Sequence, residues 1–211
     1  MANNSRGRNT QVTWIIGAVI GVVIAVAAIV AISSTGGKET ASNLEQYSKI
    51  EVVGDPLPQF TSDTADTAIG MTAPVVNGSG FAGNAISTSH GTPMLIVFLA
   101  HWCPHCQREV PLLVQWEKSG AVPAGIDVIA IATGTDPANP NYPPSDWLAR
   151  ENFPALWPVI ADSKKFEAAE AYGLQGYPYF VLVGADGKVV KRMSGEIPMD
   201  QLTKEIQAVV G

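Results

Sequence analysis

Cysteine and histidine are scarce in this chain, and their positions limit the chemistry it can carry. The 211 residues include two cysteines, Cys103 and Cys106, and three histidines, none of which follows Cys106. Structural zinc normally needs a second ligand pair well separated in sequence, so a metal site built from the cysteines with His101 or His90 is disfavoured. Covalent haem attachment needs a histidine directly after the second cysteine, where this chain has Gln107. We therefore expect no metal and no cofactor.

Charge is also sparse. Only 15% of the residues are charged, the net charge is −6 and the pI is near 5.0. No basic stripe is present to neutralise phosphates, which argues against a nucleic-acid partner.

The apolar residues are concentrated near the N-terminus. Residues 14–32 contain 19 consecutive uncharged positions, enough for a helix about 28 Å long that would span a bilayer. Arg6 and Arg8 precede this stretch and no acid occurs before Glu39, so the positive-inside rule predicts a cytoplasmic segment 1–13, a signal anchor at 14–32 and an extracytoplasmic remainder.

Two other interpretations of residues 14–32 remain open. A signal peptide could be cleaved near residues 31–33, although the apolar run is longer than an ordinary signal core of roughly 7 to 15 residues. A buried core helix fits poorly, because the run is apolar all round. Anchor and signal peptide both place the rest of the chain outside the cytosol, and the anchor predicts a single-pass bacterial cell-membrane protein.

Residues 33–72 are rich in Ser, Thr, Gly and Asp and are predicted to form an extracytoplasmic linker, in which 50–53 and 55–58 are candidates to pack on the folded domain. That domain is predicted at 73–211. Its apolar runs and turn signals predict first a β-hairpin (73–76 and 84–86, joined through 77–80), then a buried strand (94–99), a helix from Pro104 to about 119 and a parallel strand (126–132). A short helix capped by Ser145 and an extended piece (157–160) are predicted next. The last predicted elements are a helix capped by Asp162 or Ser163 and ending at Gly173, a hairpin (179–183 and 188–193) and a final helix that begins with Pro198.

The most informative feature is the sequence WCPHC at residues 102–106, directly after the buried strand. Two cysteines spaced C-x-x-C at a helix start are placed for thiol-disulfide exchange. At the helix N-terminus, unpaired amides and the helix dipole would stabilise a thiolate at Cys103, which makes it the expected attacking group. Cys106, one turn further in, is the expected resolving thiol. Outside the cytosol the pair is expected to cycle through a Cys103–Cys106 disulfide, and the alternative is a pair of packed structural cysteines.

This element order is that of the thioredoxin fold, and the chain resembles the membrane-anchored TlpA/ResA-like thiol-disulfide oxidoreductases. Three segments carry the resemblance: WCPHC followed by QREVP (102–111), GYPYF (176–180) and GADGKVV (184–190). It implies an α/β thioredoxin fold, with a central mixed sheet flanked by helices and an N-terminal β-hairpin extension, preceded by one transmembrane helix. The implied partners are cysteine-containing extracytoplasmic proteins and a membrane redox partner.

The resemblance also implies roles for individual residues. Pro178 matches a cis-proline beside the active site, so the Tyr177 backbone is expected to bind an extended substrate segment; the alternative is an ordinary trans proline at a strand start. Thioredoxins carry a buried acid where this chain has Val97. ResA-like proteins instead place a glutamate three residues after the second cysteine, so Glu109 is expected to assist deprotonation of Cys106, unless it is a solvated helix-surface residue.

Trp102, Pro104 and His105 are expected to tune the thiolate, whereas His101 is either a spacer or a further tuning group. The Pro-His dipeptide resembles that of DsbA-type oxidases. His105 and the helix dipole together predict a shift on the order of 100 mV towards an oxidising couple, so we expect an oxidase or isomerase. The alternatives are a TlpA/ResA-like reductase, for example in cytochrome c maturation, and a peroxiredoxin-like peroxidase, whose flanking Pro and Thr are missing before Cys103.

Overall fold

The computed structural model describes residues 44–62 and 64–211. The predicted cytoplasmic segment, the anchor at 14–32 and the alternative cleavage site lie outside these residues. Among the helices that the structure describes, none combines the length and the apolar character needed to cross a membrane.

A five-stranded mixed sheet forms the centre of the domain, in the order β6-β5-β4-β7-β8. Strand β4 pairs in parallel with β5 and antiparallel with β7, as the predicted strand-helix-strand unit and C-terminal hairpin require. The strands are β4 (Met94–Leu99), β5 (Asp127–Ala132), β6 (Val159–Ala161), β7 (Tyr179–Val183) and β8 (Val189–Ser194). This arrangement confirms the predicted α/β thioredoxin fold with a mixed sheet.

In the described part of the chain, four helices accompany the sheet: α1 (Pro104–Lys118), α2 (Pro144–Arg150), α3 (Glu167–Ala171) and α4 (Met199–Val210). Strand β4 is buried on both faces because apolar side chains point alternately to two separate cores. Leu95, Val97 and Leu99 pack with residues of α1 and α4, whereas Met94, Ile96 and Phe98 pack with residues of α3 and of the N-terminal segment. The sheet thereby holds the start of α1 rigidly at the end of β4.

A second, three-stranded antiparallel sheet precedes β4, formed by β1 (Glu51–Val53), β2 (Val75–Ser79) and β3 (Ala85–Ser87). The predicted β-hairpin corresponds to β2 and β3. Its loop differs from the prediction, because 77–79 continue the strand and pair with 85–87. The turn falls at residues 80–84 instead, where the Gly80 amide donates to the Asn84 carbonyl at 2.9 Å.

The folded domain begins before Ala73, so the predicted linker boundary differs from the structure. Ile50, Leu57, Phe60 and Ala68 are buried in the core. The reason is packing that the local sequence does not reveal. Asp66 forms a fully buried ion pair with Arg192 of β8, and the Arg192 guanidinium also donates to the Pro58 carbonyl at 2.8 Å.

Two predicted helix caps are wrong. Ser145 lies inside α2, which begins at Pro144, and its hydroxyl accepts a hydrogen bond from Gln46 at 2.9 Å. Helix α3 begins only after Phe166, which has the left-handed φ of 60°. The Asp162 carboxylate nevertheless accepts hydrogen bonds from the amides of Ala168 and Ala169, six and seven residues later in the sequence, at 2.9 and 3.2 Å.

Candidate active site

Cys103 is the N-cap residue of α1, at the carboxyl end of β4. Its carbonyl accepts the amide of Gln107 at 3.0 Å, which makes it the first acceptor of the helix. Pro104 occupies the first helical turn, where a missing amide costs nothing. The thiol makes no capping hydrogen bond, and Cys103 is largely buried, with 6% of the residue exposed. As the N-cap residue it lies beside the positive end of the helix.

Cys106 lies one turn further along α1 and is fully buried. Its sulfur accepts the Ala100 amide at 3.5 Å. Burial raises the pKa of the Cys106 thiol, so this thiol is protonated at neutral pH. Both cysteines are free thiols. Cys106 is the more deeply buried of the two cysteines.

The backbone of Tyr177 lies beside the first cysteine. The Cys103 sulfur is 3.8 Å from the Tyr177 carbonyl oxygen. The Tyr177–Pro178 peptide is cis, as the resemblance implies, and the trans alternative is wrong. The Pro178 carbonyl accepts the amide of Gly195 at 2.8 Å, which ties this loop to the end of β8.

Trp102 supports Tyr177 rather than the sulfur. Its indole N–H donates to the Gly134 carbonyl at 2.7 Å, and its ring meets the Tyr177 ring edge-on at 5.7 Å between centroids. The Tyr177 hydroxyl lies against Gly134, which has the positive φ of 62°. Burial raises the pKa of Tyr177 to about 12, so its hydroxyl is neutral and serves to shape the surface next to Cys103.

Glu109 is fully buried, so its interpretation as a solvated helix-surface residue is wrong. One carboxylate oxygen, Oε1, accepts the Ile197 amide at 3.3 Å. The other, Oε2, is buried and has no hydrogen-bond partner among the described residues. Burial raises the pKa of Glu109 to about 7, and the nearby charge of Glu196 also raises it. At neutral pH this carboxyl is therefore poised to take up or release a proton.

His105 is exposed and its ring is engaged away from the Cys103 sulfur. Its Nδ1 atom lies 2.7 Å from Oε1 of Glu196 and 2.8 Å from Nη2 of Arg108. Arg108 donates to the same Glu196 oxygen from Nη2 at 2.6 Å and from Nε at 3.0 Å. Sequence reasoning missed Arg108 and Glu196, because Glu196 is 88 residues from Arg108 and belongs to no recognisable motif.

His101 is a buried residue that fixes a neighbouring loop. Its Nδ1 lies 2.7 Å from the Pro140 carbonyl, and its Nε2 accepts the Asp136 amide at 3.3 Å. Burial lowers the pKa of His101, which keeps the ring neutral. It therefore supports residues 136–140 beside the site and does not contact the sulfur. Within the described ranges, no cluster of three His, Cys, Asp or Glu side chains is placed to hold a metal ion.

Comparison with known proteins adds to this geometry. The family model described as Redoxin matches residues 52–209, about three quarters of the chain. The chain belongs to the Redoxin family. The matched region includes both cysteines, the cis-proline loop and the four described helices, of which α4 extends one residue beyond it.

Similar proteins include the thiol-disulfide oxidoreductase ResA of Geobacillus thermodenitrificans, 24% identical over 71% of this chain and 82% of ResA. A Chlorobium tepidum structure described as a DsbE thiol:disulfide interchange protein is 27% identical, with a TM-score of 0.55 over 68% of this chain and 98% of that one. StoA of Bacillus subtilis, at 19% identity and a TM-score of 0.52 over 63% of this chain and 96% of StoA, shows the shared fold. This Redoxin-family chain is an enzyme that carries out dithiol-disulfide exchange.

Proposed function

We propose that the protein is a membrane-anchored, extracytoplasmic oxidoreductase that reduces disulfides in cysteine-containing client proteins. The observation that carries this proposal is the pairing of two unlike cysteines with an exposed backbone edge. Cys103 lies at the start of α1 and is 6% exposed, Cys106 has no exposed surface, and the Tyr177 carbonyl oxygen is 3.8 Å from the Cys103 sulfur.

In the first step the Cys103 thiolate attacks one sulfur of a client disulfide, forming a mixed disulfide and releasing the other client sulfur as a thiolate. The extended client segment on either side of that sulfur is held by the Tyr177 backbone. The helix N-terminus stabilises the attacking thiolate, since its unpaired amides carry partial positive charge.

In the second step Cys106 attacks the Cys103 sulfur, which closes the protein disulfide and releases the second client thiol. This step requires that Cys106 lose a proton, and its burial opposes that loss. Glu109 is one turn further along the same helix, is also fully buried, and has a pKa raised to about 7. We infer that Glu109 takes up this proton as the general base.

The charges around Cys103 support this direction of electron flow. The expected oxidising character depended on His105 and the helix dipole acting together on the Cys103 sulfur. In the structure His105 and Arg108 both contact the Glu196 carboxylate, so the positive charge of Arg108 is balanced by an acid and the His105 ring is held by the same carboxylate. A site compensated in this way favours a reductase, as does the similarity to ResA. The Pro-His dipeptide is the observation that favours an oxidase instead.

A reductase must be re-reduced after each turnover. We propose that residues 14–32 anchor the chain with its catalytic domain outside, and that a dithiol protein of the membrane supplies two electrons to the Cys103–Cys106 disulfide.

The reduction potential tests the direction. The full-length protein is equilibrated in glutathione or dithiothreitol redox buffers, alkylated and separated by mass. We expect a potential near that of thioredoxin, about −270 mV. A potential near that of DsbA, about −120 mV, together with faster oxidative refolding of a reduced client, would overturn the reductase proposal in favour of an oxidase.

A further inference from the structure

The loop between β8 and α4 contacts three separate parts of the active site through three consecutive residues. The Gly195 amide donates to the Pro178 carbonyl at 2.8 Å. The Glu196 carboxylate lies on the exposed face of α1, and the Ile197 amide donates to Glu109 at 3.3 Å. The backbone on both sides of Glu196 is therefore held by active-site groups, which fixes the position of its carboxylate.

Glu196 is the centre of a hydrogen-bonded cluster with two side chains of α1, His105 and Arg108. A single carboxylate oxygen, Oε1, accepts from Arg108 at 2.6 Å and lies 2.7 Å from the His105 ring. The His105 Nδ1 atom sits between this oxygen and the Arg108 guanidinium. When Nδ1 carries a proton it can donate to Glu196, and when it carries none it can accept from Arg108, so the ring has a partner in either form.

The cluster lies on the first two turns of α1, the helix whose N-cap residue is Cys103. The Arg108 pKa is raised, first by its hydrogen bond to Glu196 and also by the charges of Glu196 and Cys103. His105 is separated from Cys103 by one residue. Without Glu196, the Arg108 guanidinium and the His105 ring would have lost the acid that both contact on this face of α1.

We propose that Glu196 is a positioning residue that holds His105 and Arg108 in a charge-compensated cluster, and so keeps the Cys103–Cys106 couple more reducing than its C-P-H-C sequence implies. The inference rests on the proposed role of Cys103 as the attacking thiolate. A thiolate that gains less from its surroundings stabilises the reduced protein less, which shifts the equilibrium towards the disulfide and makes the dithiol a better electron donor.

The equilibrium to be measured is a two-step exchange between the protein dithiol and oxidised glutathione. The Cys103 thiolate attacks oxidised glutathione and releases one glutathione thiolate. Cys106 then loses its proton and attacks the Cys103 sulfur, forming the protein disulfide and releasing the second glutathione. Two electrons pass from the protein dithiol to glutathione.

Glu196→Gln in the full-length protein tests the proposal. Exposed ion pairs change equilibria by factors of roughly 1.4 to 5, so we expect the constant for reduction of the protein by glutathione to rise about threefold at low salt. Because the cluster is exposed, the difference should nearly vanish in about 1 M salt, where the Debye length is roughly 3 Å. A purely structural effect would not be screened in this way.

Two further proteins make the experiment specific. Glu205→Gln removes the same charge from the partly exposed Lys191–Glu205 pair, and it should leave the equilibrium constant unchanged. In a background with His105→Asn and Arg108→Gln, the Glu196→Gln substitution should lose most of its effect. Urea unfolding of each variant verifies that it is folded.

The results separate this inference from the proposed function. If the wild type fails to exchange with glutathione at all, the proposed function is wrong. If the wild type exchanges normally but Glu196→Gln leaves the constant unchanged, lowers it, or changes it no more than Glu205→Gln does, the role of Glu196 is refuted and the proposed function stands.

Discussion

Replacement of Glu109 by glutamine should stabilise the protein at alkaline pH while impairing its chemistry. The buried carboxyl has a pKa of about 7 in the folded protein, against an ordinary value of 4.5. Since the folded-state pKa is the higher one, the folded protein binds this proton more tightly than the unfolded chain does. The wild type therefore loses stability as the pH rises from about 4.5 through 7.

The size of this loss follows from the shift. Each pKa unit corresponds to about 1.4 kcal/mol, so the shift is equivalent to about 1 to 3 kcal/mol, the lower figure allowing for solvent screening. Glutamine cannot ionise. We expect the free energy of unfolding of reduced Glu109→Gln to exceed that of the wild type by this amount at pH 8, and to match it at pH 4.

The assay is urea denaturation of the reduced proteins at both pH values, followed by tryptophan fluorescence. Glu117→Gln, the same substitution at a partly exposed position of α1, is the matched control and should show no pH-dependent gain. In parallel, the rate at which Cys106 resolves a mixed disulfide should fall by roughly 100-fold in Glu109→Gln, because general base catalysis contributes on the order of 10² to 10⁴. Equal destabilisation at both pH values, with an unchanged resolution rate, would refute both the raised pKa and the role as base.

Three further predictions concern the framework of the site. Asp66→Ala leaves the buried Arg192 guanidinium without its carboxylate and should lower the free energy of unfolding by about 3 to 5 kcal/mol. The double variant Asp66→Leu/Arg192→Met removes both charges and should lose much less of this free energy. Comparable losses in both variants would show that the charge pair is not the cause. Gly134→Ala places a methyl group 2.9 Å from the Tyr177 hydroxyl, at a position with a positive φ. The rate of client reduction should fall at least several-fold, while both cysteine thiols can still be titrated. An unchanged rate would contradict the role of the surface formed by Tyr177 next to Cys103. Protease added to cells stripped of their wall should digest the catalytic domain if residues 14–32 form the predicted anchor, and protection of the domain would disprove that topology.

The sequence predicts best what depends on local pattern. Continuous apolar runs identified β4, β5 and β7, and the C-x-x-C spacing after β4 located both cysteines at the start of α1. The α1 end point was also predictable, because Ser119 and Gly120 stop the helix and Gly120 adopts the positive φ of 71°.

Long-range packing decided the features that the sequence did not predict. Glu109 is an ordinary helix residue by pattern, and it is buried only because the β8–α4 loop, 88 residues away, covers it and supplies the Ile197 amide. Asp66 looks like a linker residue until Arg192, 126 positions later, pairs with it. The start of α3 was misplaced for the opposite reason: Asp162 has the side chain of a cap, but its oxygens reach amides six and seven residues ahead.

The central claim is that Cys103 attacks a disulfide and Cys106 resolves the product, and trapping the intermediate tests it most directly. Reduced full-length Cys106→Ala and Cys103→Ala are each mixed with an oxidised peptide disulfide at pH 7, quenched with acid and measured by intact mass. We expect a stable peptide adduct on Cys106→Ala, no adduct on Cys103→Ala over the same time, and a wild type that passes to its internal disulfide with release of the peptide thiol. An adduct that forms as fast on Cys103→Ala as on Cys106→Ala would contradict the assignment of the two cysteines.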